Sequence, residues 1–341
     1  MTSSATTELP TPYLLFVGDI DDPRFVKTAY GLRDWAPDKC VGEIACSDRA
    51  VTLGLPRLSP AEAAARGARS LLIGAAQQGG VFPASWLPTM IEALEAGLDI
   101  VSGLHTRLTS ISSLAERAAA LGRRLHDVRV PPRDIPVATG RKRSGKRLLT
   151  VGTDCALGKK YTALALTAGF VRRGADTTFR ATGQTGIMIA GGGIPMDAVV
   201  ADFEAGAAEI LSPAAAPDHW DIIEGQGSLF HPAYAGVSLG LLHGSQPDVI
   251  VMCHEPGRTE LAGMPGFAVP QLGEAIDLTV LLGQRTNPAI RCAGVSFNTS
   301  RLSEPEAEAL IAEWERKLGL PVADPIRGGA SFDRLVEACL A

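Results

Sequence analysis

The sequence predicts an α/β protein, with an N-terminal Rossmann-like domain followed by a P-loop NTPase-like domain on a second parallel sheet. Three observations carry that expectation. The chain has 341 residues, more than one hydrophobic core comfortably serves. Short apolar runs alternate with stretches of helical spacing along nearly the whole length, the pattern of strands linked by helices into parallel sheets. The run from Leu148, LLTVGTDCALGKKYTALALTAGF, reads as strand, glycine-bounded loop, lysine and helix.

In chain order, residues 13–17 (YLLFV), 70–75 (SLLIGA) and 99–102 (DIVS) have the length and apolarity of buried strands. Residues 60–66, 88–96 and 111–125 carry alanine, leucine, glutamate and arginine at helical spacing. The first strand runs into Gly18, Asp19, Ile20, Asp21 and Asp22. Acidic residues replace the glycines that a pyrophosphate needs, so residues 1–138 are read as a Rossmann-like domain without its dinucleotide. Residues 139–147, TGRKRSGKR, gather five basic residues and two glycines and read as a solvated linker. Residues 148–341 are then the P-loop domain. Its strands are expected at 147–152, 220–224, 248–253, 278–282 and 290–297, and its helices at 161–173, 197–211 and 304–317.

Composition narrows the function. With 46% hydrophobic and 20% charged residues the chain can build a core and is not a disordered segment. The net charge is −5 and the cations are scattered apart from the one basic run, so a nucleic-acid footprint is not expected. Cys40, Cys46, Cys155, Cys253, Cys292 and Cys339 form no CxxC pair, which argues against a disulfide scaffold or structural zinc and for a reducing compartment. The opening MTSSATTELPTP lacks a basic n-region and an apolar core, and no later run is long enough to span a bilayer. The expectation is a cytoplasmic protein acting on a small molecule, without a membrane partner.

The chemistry concentrates after the strands. In the loop Gly152, Thr153, Asp154, Cys155, Ala156, Leu157, Gly158, glycines let backbone N–H groups turn inward around a phosphate, and the following helix start and Lys159 add positive charge. The common form, GxxxxGK followed by Ser or Thr, is one residue shorter and uses the hydroxyl to ligate Mg²⁺. Here Lys160 takes that place, a second cation that cannot hold a metal, and Thr162 recovers the role only if the helix starts late. No metal ligand set is expected, and a phosphate held by two lysines need not arrive with Mg²⁺.

Further strand ends add polar groups. In FRATGQTG, Arg180 can pair bidentately with a carboxylate or phosphate, while Thr182, Gln184 and Thr185 offer orienting hydrogen bonds. Asp197 reads as a helix cap or a catalytic acid, and Asp202 falls within the same expected helix. Glu224 ends a strand ahead of the turn Gly225, Gln226, Gly227, Ser228, and is a candidate proton acceptor. His231 follows in SLFHPAY; His254 stands with Glu255 and Arg258 in CHEPGR, a strand-end loop rich in titratable groups.

The longer loop GTDxxxGK resembles that of dethiobiotin synthetase and related dimeric P-loop enzymes. Residues 222–229, IIEGQGSL, resemble their strand that ends in a glutamate before a glycine turn, and residues 294–298, GVSFN, resemble the strand that brings a purine-contacting asparagine, here Asn298. Taken in order, VGTDCALGKKYTA, FRATGQTGIMI, IEGQGSLFHPAY, VMCHEPGR and GVSFNTS resemble the DgcN-type D-glutamate N-acetyltransferases, a family formerly catalogued as a domain of unknown function. That resemblance implies acetyl transfer from acetyl-CoA to the amino group of D-glutamate in D-amino-acid catabolism, and a homodimer or higher homo-oligomer. The loop from Gly152 to Lys160 then has the coenzyme's phosphates to hold. Arg258 and Arg180 are candidates for the substrate carboxylates, with Gln184, Thr185, Gln226 and Ser228 beside them. Glu224, His254 or His231 would take the ammonium proton, and backbone donors at Gly225 to Ser228 would face the oxyanion.

Two other classes fit the loop: an ATP-dependent ligase or kinase of the dethiobiotin synthetase type, and a nucleotide-dependent switch without catalysis. Lys160 counts against the first. Residue spacing alone leads to a phosphate-binding α/β protein and stops there.

Overall fold

The structure, a computed structural model, describes residues 7–76 and 80–341; residues 1–6, part of the segment expected not to be a leader, lie outside the described residues. Two compact units form, Met1–Pro132 with Gln184–Ala198, and Arg133–Gly183 with Val199–Ala341.

The first unit begins with β1 (Thr7–Glu8), β2 (Tyr13–Gly18), α1 (Lys27–Trp35), β3 (Cys40–Ala45), α2 (Pro60–Ala65), β4 (Ser70–Ile73), α3 (Leu87–Glu95), β5 (Asp99–Ser102), α4 (Ser112–Leu121) and β6 (Leu125–Asp127). Five of its strands make a parallel sheet in the order β3-β2-β4-β5-β6. β2 is buried along its whole length, as an apolar run covered on both faces should be. Local chemistry sets the helix ends. Ser59 and Glu62 close a capping box ahead of α2, and Gly122 at φ 65° ends α4. The helix expected over 111–125 therefore stops at Leu121, and Leu125–Asp127 pairs beside β5 as a strand. β3, CVGEIA, has no apolar run to announce it. Its Glu43 is fully buried because Thr52 Oγ1 and the N–H groups of Leu53 and Leu55 all donate to the carboxylate.

The second unit contributes β7 (Lys146–Gly152), α5 (Lys159–Arg172) and β8 (Thr177–Arg180). The chain then enters the first unit as α6 (Gln184–Ala190) and β9 (Gly192–Gly193) before returning. Within the first unit, Tyr13 Oη donates to the Met188 carbonyl at 3.0 Å, Lys39 Nζ to the carbonyls of Ile189 and Ala190, and β9 pairs with β1. Next come α7 (Glu204–Leu211), β10 (Trp220–Ile223), α8 (Ala235–Ser245), β11 (Val249–His254), α9 (Leu272–Gly283), β12 (Arg291–Phe297), α10 (Glu304–Leu318), β13 (Val322–Ala323) and α11 (Gly329–Leu340). The sheet is parallel, in the order β13-β12-β11-β7-β10-β8, so β7 is internal and its C-terminal end opens between those of β10 and β11.

Three expectations change here. Residues 278–282, LTVLL, lie inside α9; Leu272, Ala275, Ile276, Thr279 and Gly283 are buried at helical spacing while Leu281 is 62% exposed. A short apolar run cannot show its period. The helix expected over 197–211 is two short 3₁₀ turns followed by α7; Asp197 pairs with Arg129 at 2.9 Å, and Asp202 is exposed. Residues 139–147, expected to be solvated, are fastened to the second unit. Thr139 and Gly140 donate to Glu209, Arg143 reaches the carbonyls of Ser212 and Gly244, and Arg147 is 1% exposed with Nε on Ser212 Oγ at 2.7 Å. Guanidinium forks satisfy clustered carbonyls, which is why this basic run packs. Among the described residues no helix is long and apolar enough to cross a membrane.

Candidate functional site

β7 delivers the loop because its neighbours hold it on both edges and it ends at Gly152. Backbone passes unusually close there. A Cβ on Gly225 would lie 1.7 Å from the Thr150 carbonyl oxygen, so only glycine fits. Ala156 at φ 54° and Gly158 at φ 107° take the left-handed turns that curl the loop ahead of α5. α5 starts at Lys159, so the late start that Thr162 needed does not occur. Thr162 lies a turn inside, 2.8 Å from Ser296 Oγ, with Cys253 Sγ donating to it.

Lys159 curls back over the loop and donates from Nζ to the Asp154 carbonyl at 2.7 Å; burial pushes its ammonium below the ordinary range. Lys160 is lowered by burial as well, opposed by the charge of Glu224, and its ammonium sits 4.4 Å from the centre of the Tyr161 ring. Asp154 is fully buried and organises the loop. Its Oδ1 accepts from Cys155 N–H, and its Oδ2 accepts from Arg258 Nη1 at 2.7 Å and Ala262 N–H at 2.8 Å. Arg258 also donates to the Cys155 carbonyl and holds Glu255. Thr153 N–H donates to the Cys253 carbonyl, and its hydroxyl meets His254 Nδ1 at 2.9 Å.

His254 is neutral at physiological pH. Burial and the nearby Arg258 charge lower its pKa to about 4, against the pull of Glu255, so it is a poor proton acceptor for an ammonium. His231 is 1% exposed and stacked on Tyr234; its Nε2 donates to the Ala262 carbonyl at 3.1 Å, while Nδ1 accepts from Ala233 N–H at 3.2 Å. Donor atoms of Asp154, Cys155 and His231 lie within 4.8 Å of one another, but the Asp154 carboxylate and both His231 nitrogens already have protein partners. Glu224 directs Oε2 at the N–H groups of Thr182 and Gly183, each at 3.0 Å. Gln226 Nε2 donates to Thr182 Oγ1, and Ser228 Oγ accepts from Phe230 N–H.

The arginines expected at the substrate carboxylates both have protein partners. Arg180 is committed to Asp221, 2.6 Å away and 1% exposed, which also takes the Ser212 hydroxyl. Arg258 is committed to two carboxylates at the loop. Gln184 and Thr185 belong to the first unit: Thr185 meets Thr28 Oγ1 at 3.1 Å, and the Gln184 amide faces the Gly103 carbonyl and Arg129. Asn298 closes the other end of the loop. Its N–H donates to the His254 carbonyl, and it lines a pocket of about 390 Å³ with Leu157, Gly158, Tyr161, Phe297 and Ile326. Sequence reasoning missed Asp154 as the organiser and Ala262 as its partner. The one signal was Arg258 in the loop after β11, the strand beside β7, which residue type marked as seeking an anion.

A glycine loop after an internal strand, two lysines at the start of the following helix and a mainly apolar pocket beside them define an α/β protein with a P-loop domain. The particular family follows from comparison. Residues 136–336 match the family described as "Domain of unknown function (DUF1611_C) P-loop domain", and residues 39–131 match "Domain of unknown function (DUF1611_N) Rossmann-like domain". The chain belongs to this DUF1611 family. It is 51% identical over 333 residues to a protein of Tritonibacter scottomollicae named D-glutamate N-acetyltransferase, covering 98% of this chain and 99% of the relative. A protein of a Pseudoalteromonas species with the same name is 46% identical over 94% of this chain and 97% of its own. The crystal structure of a DUF1611 family protein from Anabaena variabilis, 34% identical, superposes with a TM-score of 0.82 over 97% of this chain and 99% of that one.

Proposed function

We propose that this protein is an N-acetyltransferase that moves the acetyl group of acetyl-CoA to the amino group of D-glutamate, a step of D-amino-acid catabolism. The observation that carries the reading is the near-full-length identity to two proteins named for that activity. The site is chemically compatible with it. Acetyl-CoA brings a pyrophosphate suited to the backbone donors and lysines from Gly152 to Lys160, and an adenine suited to the pocket at Asn298. Lys160, where a metal-binding hydroxyl would stand, suits a nucleotide whose phosphates are held and not transferred. Arg258 braces the loop through Asp154 and the Cys155 carbonyl, and Gln226 and Ser228 offer polar groups to the amino acid. Of the three candidate bases, His254 is too weak and the Oε2 of Glu224 is occupied by amides. His231, which would have to give up the Ala233 N–H contact at Nδ1 to take the ammonium proton, is the candidate retained. An acetyl-CoA-using enzyme whose cysteines stay reduced belongs in the cytoplasm, and a homodimer or larger assembly is the form we propose.

The test is release of free thiol from acetyl-CoA by purified protein with D-glutamate, with L-glutamate and with neither, beside an assay of ATP consumption. D-glutamate-dependent thiol release is expected. Amino-acid-dependent ATP hydrolysis without it would move the assignment to the ligases.

A further inference from the structure

Glu224 follows β10 and is 4% exposed, yet most of its hydrogen bonds run to one short segment. β10 pairs with β8 up to Ile223 against Arg180, and Glu224 N–H still donates to the Arg180 carbonyl. Past that point the side chain takes over from the ladder. Its Oε2 accepts the N–H groups of Thr182 and Gly183, its carbonyl accepts the Thr182 hydroxyl at 2.6 Å, and Gln226 Nε2 donates to that same hydroxyl oxygen at 3.0 Å. The fit is close. A Cβ on Gly183 would lie 2.7 Å from Gln226 Nε2 and 3.1 Å from Glu224 Oε1, so the glycine is what lets the carboxylate reach the backbone. Gly183 is the last residue before the chain leaves the P-loop unit as α6.

We infer that Glu224 is a positioning residue: its carboxylate clamps Thr182 and Gly183 beside the phosphate loop and fixes where the chain departs into α6. Without it two amides would lose their acceptor next to the loop, and the strand end would fray. The kinetic part of this inference rests on the acetyltransferase reading; the clamp does not.

Glutamine distinguishes a clamp from a base. Its amide oxygen can accept both N–H groups but cannot take a proton, whereas alanine removes both functions. We expect Glu224→Ala to lower kcat/KM by about ten- to a hundredfold with the shape of the pH profile unchanged, and Glu224→Gln to recover most of the loss. Amide hydrogen exchange at Thr182 and Gly183 should be slow in the wild type and in Glu224→Gln and faster in Glu224→Ala, a readout independent of any acetyl transfer. Equal kcat for the two variants, with loss of the acidic limb of the pH profile, would make Glu224 the base and overturn the inference. So would unchanged exchange in Glu224→Ala. If the wild type transfers no acetyl group, the functional reading fails while the exchange result still decides the clamp.

Discussion

Arg258 Nη1 meets Asp154 Oδ2 at 2.7 Å, a guanidinium against a carboxylate with no solvent exposure. The same nitrogen reaches the Cys155 carbonyl, so one side chain pins both the side chain and the backbone of the phosphate loop. An arginine spent in this way is unavailable to a substrate carboxylate. Arg258→Lys, which cannot copy the fork, should raise KM for acetyl-CoA roughly tenfold and leave that for D-glutamate nearly unchanged. Arg258→Ala strands a buried charge and should cost about 3 kcal/mol of stability, read as a lowered denaturant midpoint at constant slope. A selective rise in KM for D-glutamate would return Arg258 to the substrate.

Lys159 donates to the Asp154 carbonyl, an interaction an incoming phosphate would replace with a stronger one. Lys159→Ala should weaken coenzyme A binding by about 1.5 to 3 kcal/mol, measured by calorimetric titration, with the far-ultraviolet circular dichroism spectrum unchanged. Wild-type affinity in the variant would remove the loop from coenzyme binding.

Metal removal is a third check. With Lys160 in the hydroxyl's place and Thr162 turned to Ser296, acetyl transfer should persist in excess chelator. Loss of activity that Mg²⁺ restores would favour the ATP-using class.

His254 makes stability depend on pH. In the unfolded chain its imidazole protonates near 6.5, while in the folded protein protonation waits until about 4. Between those values the unfolded state binds more protons, so this contribution is intact above pH 6.5 and is lost as the pH falls toward 4. The melting temperature should therefore drop less from pH 7 to 4.5 in His254→Asn than in the wild type. Equal drops would mean that another group carries the acid sensitivity.

What could be read in the sequence follows from which physics is local. The loop from Gly152 to Lys160 was legible because strand, glycines, lysine and helix are contiguous, and the two-sheet class because apolar runs of four to eight residues recur between helical stretches. β3 was not, since Glu43 looks polar until the amides of Leu53 and Leu55 close on it. Nor was α9, whose middle imitates a strand. The partners of Arg258 and Arg180 are set by tertiary packing, Asp154 lying 104 positions away and Asp221 41. Residue type marked both arginines as anion seekers, and only the fold says which anion each has found.

The excursion of the chain through α6 and β9 makes the first unit discontinuous in sequence. Gly183 hands the chain to the first unit and Val199 takes it back, with buried Ile187 and Met188 in the stretch between. A gene fusion of two ready-made modules joins them at one seam, whereas this chain is sewn across at three. A chain cut after Pro132 would therefore leave the first unit without residues 184–198.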